Sequence, residues 1–570
     1  MSNNSILEST MTLPVHAENL ASMLSENSKA FSGKTICQEI RYNVYEPLLW
    51  EKCYQDIIAI QQYLLSIGFS AGDRLAILST NCSKMLEIEL AVMSMGGIAV
   101  PIFAGYPREK TNLLVDFCEA NIVVLEDDAQ INKLSDPDKF RKIIYFNDLN
   151  ISAGNQISFS EIIGNESTAD ITGIDIPTDT VCLMMYTSGT MGKPKCVQLT
   201  HGNILSQQAA MRVLWKLSST DRFLSYLPWH HSFGGIFEKY AAICNGAVLS
   251  LDNSCGKDID RLLANWRKVK PTVFFSVPRI YQSLATMMRH DPEIEDLIFH
   301  NELRFIFTAA APLPKNISDI FEKKNIPVYE GWGLTETSPC CTVTDSNVPR
   351  KIGVVGKPIA GVSLKLSHDG EILVKGPNVM TGYYHNPDET EKVLLEDGWF
   401  KTGDVGKFTD TGLKLISRKD RIFKLSNAKK VIPAEIENLI AKDCAYLSHA
   451  YVSGSGKDYP VVLLFPNTGM FDQKPDEAQI KEDCLCPKNL IEYVNCLTNC
   501  LENWNHSIDA KYSRINRAKL IDYELSIENE ELTPSMKLAP NVVGKIFKAE
   551  IEELYSQETA TEDVYIIKLG

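Results

Sequence analysis

A stretch rich in glycine, hydroxyl and lysine side chains follows a short apolar run that starts near Val181. Residues 184–203 read MMYTSGTMGKPKCVQLTHGN and contain three Gly, four Thr or Ser and two Lys residues. Glycine lets backbone N–H groups approach an anion closely, Ser and Thr add hydrogen-bond donors, and Lys adds a compact positive charge. We therefore interpret this stretch as a loop that can hold phosphate.

The spacing inside the loop excludes the Walker A type of phosphate loop. That type has four residues between its first Gly and a Gly-Lys pair, and Ser or Thr follows the Lys to bind magnesium. Here only two residues separate Gly189 from Gly192, and Pro194 follows Lys193. A P-loop nucleotide hydrolase is therefore excluded, whereas a flexible polar surface loop stays open for the stretch taken alone.

Length and charge limit the possible architectures and partners. A chain of 570 residues exceeds the roughly 250–300 residues at which a single hydrophobic core stops growing, so we expect more than one domain. The content of 44% apolar and 23% charged residues is typical of globular proteins. A net charge of −15 argues against a nucleic-acid partner, because that binding depends on concentrated Lys and Arg. Any anionic ligand must therefore be held by a local group of residues.

The sequence predicts a cytoplasmic protein without a transmembrane segment. The N-terminal residues lack the basic and apolar regions of a secretory signal. The least polar long stretch, residues 90–105, is shorter than the roughly 20 apolar residues of a membrane span. Fifteen scattered Cys residues suit a reducing compartment. Without a basic amphipathic helix, membrane contact would be peripheral at most.

Alternating β-rich and helical runs predict an α/β fold for most of the chain. The β-rich runs from Arg74 onward are RLAIL, GIAVPIF and NIVVLED, then RFLSYLP, AVLSL, PTVFFSV, LRFIFTAAAPLP and IPVYEGWG. Helical patterns lie between them, over residues 83–95, 108–119 and 259–269. This alternation predicts parallel or mixed sheets layered with helices, in which functional residues collect where strands end.

The last third of the chain has a different pattern. After about Gly353, shorter strands with Gly and Pro turns predict a small antiparallel β region. A compact α+β tail follows, with AYVSG and VVLLFP as strands and helices over residues 488–504 and 542–555. We place the boundary at Ser417–Arg421, which divides the chain into a large domain, 1–416, and a smaller mobile domain, 417–570.

Seven stretches together resemble the adenylate-forming (AMP-binding) superfamily. The first is the loop, which matches the family pattern Tyr-Thr-Ser-Gly-Thr-Thr-Gly-x-Pro-Lys-Gly-Val. The others, in family order, are LPWHHSFGG (227–235), TAAAPLP (308–314), YEGWGLTETSP (329–339), GWFKTGDVG (398–406), SRKDRIFKLSNAKKVIPAEIE (417–437) and ELTPSMKLAP (531–540). The resemblance covers nearly the whole chain and is strongest to acyl-CoA synthetases of the long-chain fatty acid type. It implies that a carboxylate attacks the α-phosphate of ATP, pyrophosphate leaves, and the acyl group passes to CoA.

The resemblance also implies a nucleotide site. Trp332 would pack against adenine, Thr335 would donate to the α-phosphate, and Asp404 and Arg418 would bind the ribose hydroxyls. The full set of implied ATP and AMP ligands is Thr187, Ser188, Gly189, Thr190, Met191, Gly192, Lys193, Lys195, Ala310, Ala311, Pro312, Gly331, Trp332, Gly333, Thr335, Asp404 and Arg418.

The implied catalytic residues are Lys537, Thr335 and Glu336. Glu336 would coordinate Mg²⁺, and Lys537 would bridge the substrate carboxylate and the α-phosphate. Asp420 matches the hinge about which the small domain rotates. No general base is required, because a carboxylic acid with a pKa near 4–5 is already ionised at pH 7. Taken singly, Glu336 also suits a helix-capping carboxylate and Lys537 a solvated surface charge.

By family position the acyl pocket would be lined by His230, His231, Phe233, Gly234, Ser276, Thr308 and Ala309. The two histidines are adjacent. On a strand, adjacent side chains point to opposite faces. We therefore expect at most one of the two histidines in the pocket.

Two departures from the family pattern concern the thiol step. Cys196 stands where the family usually has Gly, and Asn427 and Ala428 stand where a Gly pair is common. Glycine tolerates positive φ and alanine does not, so the loop shape could differ there. Three other functions stay open: an aryl or hydroxycinnamic acid–CoA ligase, transfer to a carrier-protein thiol, and an adenylate-binding protein without catalysis.

Overall fold

The protein packs as two compact units. The structure is a computed structural model that describes residues 6–147, 154–164, 170–187, 194–309, 311–444, 446–467, 487–526, 529–533, 538–556 and 564–569, without the side chains of 290 and 441–443. The first unit comprises residues 1–366, 373–402 and 408–413, and the second comprises 367–372, 403–407 and 414–570. The second unit thus also contains residues 367–372, 403–407 and 414–416, which precede the predicted division at residue 417.

The strands and helices are numbered in chain order. The strands are β1 (Leu7–Glu8), β2 (Thr35–Arg41), β3 (Val44–Leu49), β4 (Arg74–Leu78), β5 (Ile98–Ile102), β6 (Ile122–Leu125), β7 (Lys142–Tyr145), β8 (Gln156–Ser158), β9 (Val181–Thr187), β10 (Lys195–Thr200), β11 (Arg222–Ser225), β12 (Val248–Leu251), β13 (Val273–Ser276), β14 (Phe305–Thr308), β15 (Val328–Trp332), β16 (Thr342–Val343), β17 (Val354–Pro358), β18 (Ser363–Leu366), β19 (Glu371–Lys375), β20 (Gly382–Tyr383), β21 (Phe400–Thr409), β22 (Gly412–Arg418), β23 (Phe423–Lys424), β24 (Lys430–Val431), β25 (Leu447–Ser453), β26 (Val461–Pro466), β27 (Arg517–Leu520) and β28 (Ile566–Lys568). The α-helices are α1 (Leu20–Ala30), α2 (Trp50–Ser66), α3 (Ser83–Ser94), α4 (Arg108–Phe117), α5 (Asp128–Ile131), α6 (Phe159–Ile163), α7 (His201–Trp215), α8 (Lys239–Ile243), α9 (Ile259–Val269), α10 (Pro278–His290), α11 (Pro292–Ile298), α12 (Lys315–Lys323), α13 (Pro387–Val393), α14 (Pro433–Asp443), α15 (Leu490–Ser507), α16 (Pro540–Ile546) and α17 (Lys548–Glu553).

One sheet of the first unit has the strand order β20-β10-β9-β5-β4-β6-β7-β8. Strands β4, β5 and β6 are parallel and apolar, and almost every residue in them is buried. Such continuous apolar runs are typical of parallel strands covered on both faces. At the other end of the sheet, β10 pairs antiparallel with both β9 and β20. The predicted α/β architecture is confirmed.

A second sheet contains the strand run β15-β14-β13-β11-β12-β2. These strands are parallel, and the register places Ser276 beside Thr308 and Thr308 beside Glu330. Because parallel strands end at the same edge, the residues that close β13, β14 and β15 collect there. Helix α3 packs on β5 and β9 of the first sheet and on β2 of the second.

A buried ion pair ties α3 to the start of α8. Lys239 Nζ lies 2.5 Å from Glu89 Oε1, and both side chains are almost completely buried. The Tyr240 hydroxyl donates to the same carboxylate over 3.1 Å. Lys239 Nζ also lies 4.8 Å from the centre of the Trp229 ring, a cation–π distance. These contacts anchor the segment that follows LPWHHSFGG.

The second unit contains the sheet β25-β26-β27-β28. Val462 and Leu464 face one hydrophobic cluster, whereas Val461, Leu463 and Phe465 face another. The alternation follows the two-residue period of a strand and gives the sheet a core on each face. Helix α15 matches the prediction for residues 488–504.

The prediction of a helix over residues 542–555 was wrong. The structure divides this region into two helices, α16 and α17. The break occurs at Phe547, whose backbone leaves helical geometry. The Phe547 ring packs 5.2 Å from the Phe465 ring and 5.5 Å from the Tyr523 ring. Packing of this ring in the sheet core thus outweighs local helical periodicity.

Ala428 has a left-handed backbone, with φ at 62°. Asn427 Oδ1 accepts a hydrogen bond from the N–H of Lys429 over 3.0 Å, and the Ala428 N–H donates to the carbonyl of Leu425. The turn therefore keeps a glycine-type conformation without glycine. Alanine adopts it at a cost of roughly 1 kcal/mol.

Within the described residues, no helix has both the length and the apolar character that crossing a membrane requires.

Replacing Lys239 by Met should lower the free energy of unfolding by about 3–5 kcal/mol, because Glu89 then stays buried without its cation. Guanidinium denaturation followed by tryptophan fluorescence measures the loss. The control is the double variant Glu89→Leu with Lys239→Met, which should recover at least half of it, since apolar side chains replace both charges. A single variant with the wild-type unfolding midpoint would contradict the assigned role of the pair.

Candidate active site

The two ends of the predicted phosphate loop lie opposite each other. Thr187 closes β9, Lys195 opens β10, and the antiparallel register pairs these two residues directly. The loop is therefore a hairpin connection, as predicted after a strand. Its interior, from Ser188 through Gly189, Thr190, Met191 and Gly192 to Lys193, lies outside the described residues.

Cys196 occupies an ordinary strand position. It pairs with Tyr186 across the hairpin, its side chain is fully buried, and its φ is not positive. Burial raises the pKa of the Cys196 thiol well above its usual value, and nearby Cys118 adds to the rise. The backbone at this position therefore does not require glycine, and the thiol stays protonated.

The segment after β15 carries Trp332, which is buried, and Thr335 and Glu336, which lie in a 3₁₀ turn over Thr335–Thr337. A Cβ atom on Gly333 would lie 1.6 Å from the carbonyl oxygen of Pro339, so only glycine fits this close approach. The predicted adenine and α-phosphate residues are thus held in one tight segment.

Two amides from elsewhere in the chain support this segment. Gln207 on α7 donates from Nε2 to the carbonyls of Thr337, over 3.2 Å, and Cys340, over 3.0 Å. Asn378 donates from Nδ2 to the same two carbonyls, over 2.9 and 3.2 Å. Because α7 directly follows β10, the loop hairpin and the 3₁₀ turn are mechanically connected.

The predicted α-phosphate donor Thr335 meets the LPWHHSFGG segment. Its Oγ1 lies 3.1 Å from the Ser232 Oγ, and either hydroxyl can donate. Two adjacent hydroxyls can shift their protons to suit an incoming oxygen. Ser232 is buried and therefore fixed in place.

Glu336 is buried and held by the segment that contains β20. The Tyr383 hydroxyl donates to Glu336 Oε1 over 2.8 Å, and the Met380 N–H donates to the Glu336 backbone carbonyl over 2.9 Å. The second carboxylate oxygen, Oε2, has no hydrogen-bond partner in the described part of the chain. A carboxylate oxygen is a ligand that Mg²⁺ prefers, so Glu336 fits the metal role predicted for it.

Lys195 lies next to the same tyrosine. Its Nζ is 5.2 Å from the centre of the Tyr383 ring and 3.2 Å from Glu389 Oε2 on α13. Lys392 also contacts Glu389, over 2.6 Å. Hydrogen bonds from Lys392 and, secondarily, from Lys195 lower the pKa of Glu389. This carboxylate is therefore a negative charge beside the two lysines. Tyr383 thus joins a predicted phosphate-binding lysine to a predicted metal ligand.

Four more of the predicted ATP and AMP ligands come after β14 in the chain or lie within β15. Ala311 and Pro312 are exposed, Gly331 is buried in β15, and Ala310 lies outside the described residues. A Cβ atom on Gly331 would lie 2.5 Å from the Phe307 ring. The glycine therefore lets β15 pack closely against β14.

The predicted ribose ligands lie together in the second unit. Arg418 Nη1 is 3.2 Å from Asp404 Oδ1. Arg418 Nε is also 3.7 Å from the predicted hinge residue Asp420. After Asp420, Arg421 pairs with the half-buried Glu437 and places its guanidinium 5.0 Å from the Tyr451 ring. Packing thus groups Asp404 with 414–570, although the predicted division assigned it to 1–416.

Three of the predicted acyl-pocket residues lie at the ends of parallel strands or against them. Ser276 and Thr308 sit side by side at the ends of β13 and β14, both fully buried. Phe233 packs its ring 5.8 Å from the Phe307 ring. Thr308 Oγ1 is buried and has no hydrogen-bond partner among the described residues, whereas Ser276 Oγ lies 2.7 Å from the Tyr226 hydroxyl.

Two small predicted pocket residues flank this group. Ala309 follows β14 directly. Gly234 lies in the π-helix Phe233–Glu238, where an added Cβ atom would lie 2.6 Å from the carbonyl oxygen of Leu227. Close backbone packing therefore excludes a side chain at Gly234.

The two histidines lie in a turn between β11 and the π-helix, and not on a strand. The alternation that assigned them to opposite faces therefore does not apply. His230 stacks 4.6 Å from the Phe103 ring, and its Nε2 is buried without a partner among the described residues. Burial, and secondarily His231, lowers the pKa of His230 to about 3, so the ring is neutral at pH 7. The Phe233 N–H donates to His231 Nδ1 over 3.3 Å.

Some residues of the site carried no sequence signal. Tyr383, Gln207 and Asn378 act through tertiary contacts with residues far away in the chain. Ser232 lies within the LPWHHSFGG stretch, but its contact with Thr335 had not been predicted. Polar residues at the C-terminal ends of parallel strands offered a signal for Ser276 and Thr308 only. The predicted catalytic Lys537 lies outside the described residues.

Solved structures share this fold. The O-succinylbenzoate coenzyme A synthetase of Bacillus subtilis in complex with AMP superposes with a TM-score of 0.72 at 21% identity, covering 92% of this chain and 98% of that one. ATP-bound MatB of Rhodopseudomonas palustris superposes with a TM-score of 0.74 at 21% identity, covering 94% and 100%. At these identities the likeness establishes the fold alone.

Curated relatives match by sequence. The long-chain-fatty-acid–CoA ligase of Mycobacterium bovis is 25% identical, over 95% of this chain and 98% of the relative. The 2-succinylbenzoate–CoA ligase of Oceanobacillus iheyensis is 31% identical, over 66% of this chain and 75% of the relative.

Family models cover both parts of the chain. The AMP-binding enzyme model matches residues 25–384, and the model for the AMP-binding enzyme C-terminal domain matches residues 420–559. The first match includes the loop hairpin, the 3₁₀ turn with Glu336, and Tyr383. Together with the site geometry, these matches show that the chain belongs to the AMP-binding enzyme family.

Proposed function

We propose that this protein activates a fatty acid with ATP, releases pyrophosphate, and transfers the acyl group from acyl-AMP to CoA. One observation carries the proposal: Tyr383 contacts both the buried Glu336 and Lys195, at the base of the glycine-rich hairpin. Tyr383 thus contacts one residue that can bind magnesium and one that can bind phosphate. This pair suits a nucleoside triphosphate with its metal.

The chemistry needs charge neutralisation and alignment more than proton transfer. Lys195 and the loop amides would hold the β- and γ-phosphates, and Thr335 with Ser232 would donate toward the α-phosphate. Mg²⁺ at Glu336 would neutralise charge on the phosphates when bound. Aligned donors and cations of this kind stabilise the developing charge by several kcal/mol. The acid arrives ionised, so no histidine is required as a base.

The second unit would supply the ribose contacts and the catalytic lysine of the adenylation step, Lys537. Asp404 would accept hydrogen bonds from both ribose hydroxyls, and Arg418, which contacts Asp404, would donate to the ribose. Lys537 bridges the substrate carboxylate and the α-phosphate during adenylation. Rotation about Asp420 then removes Lys537 and admits the thiol.

A long-chain acid is favoured by sequence similarity. The mycobacterial long-chain-fatty-acid ligase aligns over 95% of this chain. The 2-succinylbenzoate ligase, at 31% identity, keeps an aryl acid as the second candidate.

We propose that the reaction takes place in the cytoplasm. No disulfide joins the cysteines that the structure describes, and buried thiols such as Cys37 and Cys182 suit a reducing compartment.

ATP–pyrophosphate exchange across a panel of acids tests the substrate. We expect exchange that depends on added acid and is largest for long-chain fatty acids, at least ~10-fold above aryl acids, since each buried methylene adds roughly 0.8 kcal/mol. Exchange supported best by an aryl acid would replace the substrate. Exchange with no acid of the panel would favour an adenylate-binding protein without catalysis.

Lys537→Ala separates the two half-reactions. Loss of the bridging cation should reduce acid-dependent exchange by at least ~100-fold, while thioester formation from supplied acyl-AMP and CoA should stay within about threefold of wild type. Lys548→Ala removes an exposed lysine of the same unit and is the matched control. Equal loss of both half-reactions would contradict the role given to Lys537. Replacing CoA by a phosphopantetheinylated carrier protein in the second assay identifies the thiol acceptor.

A further inference from the structure

The carboxylate of Glu336 needs a fixed orientation to bind a metal. Glutamate has three rotatable side-chain bonds, and ordering them costs up to roughly 2 kcal/mol of conformational entropy. A hydrogen bond to one carboxylate oxygen can order the side chain before the metal binds and leave the other oxygen for the metal. In metal sites generally, such partners of the ligands strongly affect metal affinity.

Tyr383 makes this hydrogen bond. Its hydroxyl donates to Glu336 Oε1 over 2.8 Å, and the two residues are only 5% and 9% exposed. The buried hydrogen bond is shielded from competing water and therefore restrains the carboxylate effectively. Oε2 stays without a hydrogen-bond partner among the described residues.

The backbone of Tyr383 is itself fixed. Strand β20 pairs with β10 through Tyr383 opposite Val197 and Gly382 opposite Gln198. The Tyr383 N–H donates to Thr390 Oγ1 over 2.9 Å. The backbone that carries the hydroxyl is thus held by the pairing with β10 and by the hydrogen bond to Thr390.

The ring of Tyr383 has a second contact. Lys195 Nζ lies 5.2 Å from the ring centre, within cation–π range, while Glu389 holds the ammonium group from the other side. The hydroxyl and the ring therefore act on different groups, and a Tyr→Phe substitution removes the hydrogen bond to Glu336 while it keeps the ring beside Lys195.

We propose that Tyr383 is a positioning residue that presents Glu336 to Mg²⁺. The inference rests on the proposed function, in that Glu336 binds the metal of Mg·ATP. Removing the hydroxyl should weaken the response to magnesium without removing the contacts that hold the nucleotide.

The test measures ATP binding by calorimetry over a range of Mg²⁺ concentrations, with full-length protein and no acid or CoA. Tyr383→Phe should raise the half-saturating Mg²⁺ concentration by about 10–100-fold. The Kd of ATP at saturating Mg²⁺ should stay within about twofold of wild type. Tyr384→Phe is the matched control, because that neighbouring hydroxyl contacts Glu119 over 2.8 Å; it should change neither quantity.

A double-mutant cycle separates positioning from general damage to the fold. Where Glu336→Gln already removes the charged ligand, adding Tyr383→Phe should shift the magnesium response no further. The inference is overturned if Tyr383→Phe leaves the magnesium dependence unchanged, if affinity falls equally at every Mg²⁺ concentration, or if the shift persists on the Glu336→Gln background.

Failure of the proposed function can be distinguished from failure of the inference about Tyr383. A wild-type protein that does not bind ATP in the presence of Mg²⁺ would end both the proposed function and the inference. Wild-type binding with no effect of Tyr383→Phe would end the inference alone. A magnesium shift in a protein that no acid activates would support the inference and exclude the proposed reaction.

Discussion

The candidate site depends on the antiparallel register of β9, β10 and β20. Pairing of Thr187 with Lys195 brings the two ends of the glycine-rich loop together, and pairing of Val197 with Tyr383 brings a tyrosine from far along the chain to the same place. A shift of one residue would turn each side chain to the opposite face of the sheet. The register therefore decides whether Tyr383 can reach Glu336 at all.

The 3₁₀ turn over Thr335–Thr337 also depends on residues from distant parts of the chain. Gln207 and Asn378 donate to the same two carbonyls, and Ser232 meets Thr335, so the turn is held by hydrogen bonds from several separate segments. Buried amide N–H groups that donate to backbone carbonyls restrict a loop to few conformations. Because the turn is already ordered, less conformational entropy of the protein is lost when a nucleotide binds.

Much of the architecture could be predicted from sequence because its signals are local. Runs such as RLAIL and PTVFFSV are buried strands, and β4 and β13 occupy those places. The histidine pair was misassigned to a strand because alternation describes extended chain only, and the turn that holds His230 is set by contacts such as the one with Phe103. The helix over 542–555 was interrupted because Phe547 packs into the sheet core. Tyr383 left no signal, since its partner lies 47 residues away and no spacing rule connects them.

The path of oxygen atoms tests most directly whether the protein activates a carboxylate at the α-phosphate. A fatty acid labelled with ¹⁸O in its carboxyl group would be turned over with ATP and CoA, and the products analysed by mass spectrometry. Attack on the α-phosphate followed by thioester formation predicts one labelled oxygen in AMP and none in pyrophosphate. Label in inorganic phosphate, or unlabelled AMP with full thioester yield, would contradict this chemistry.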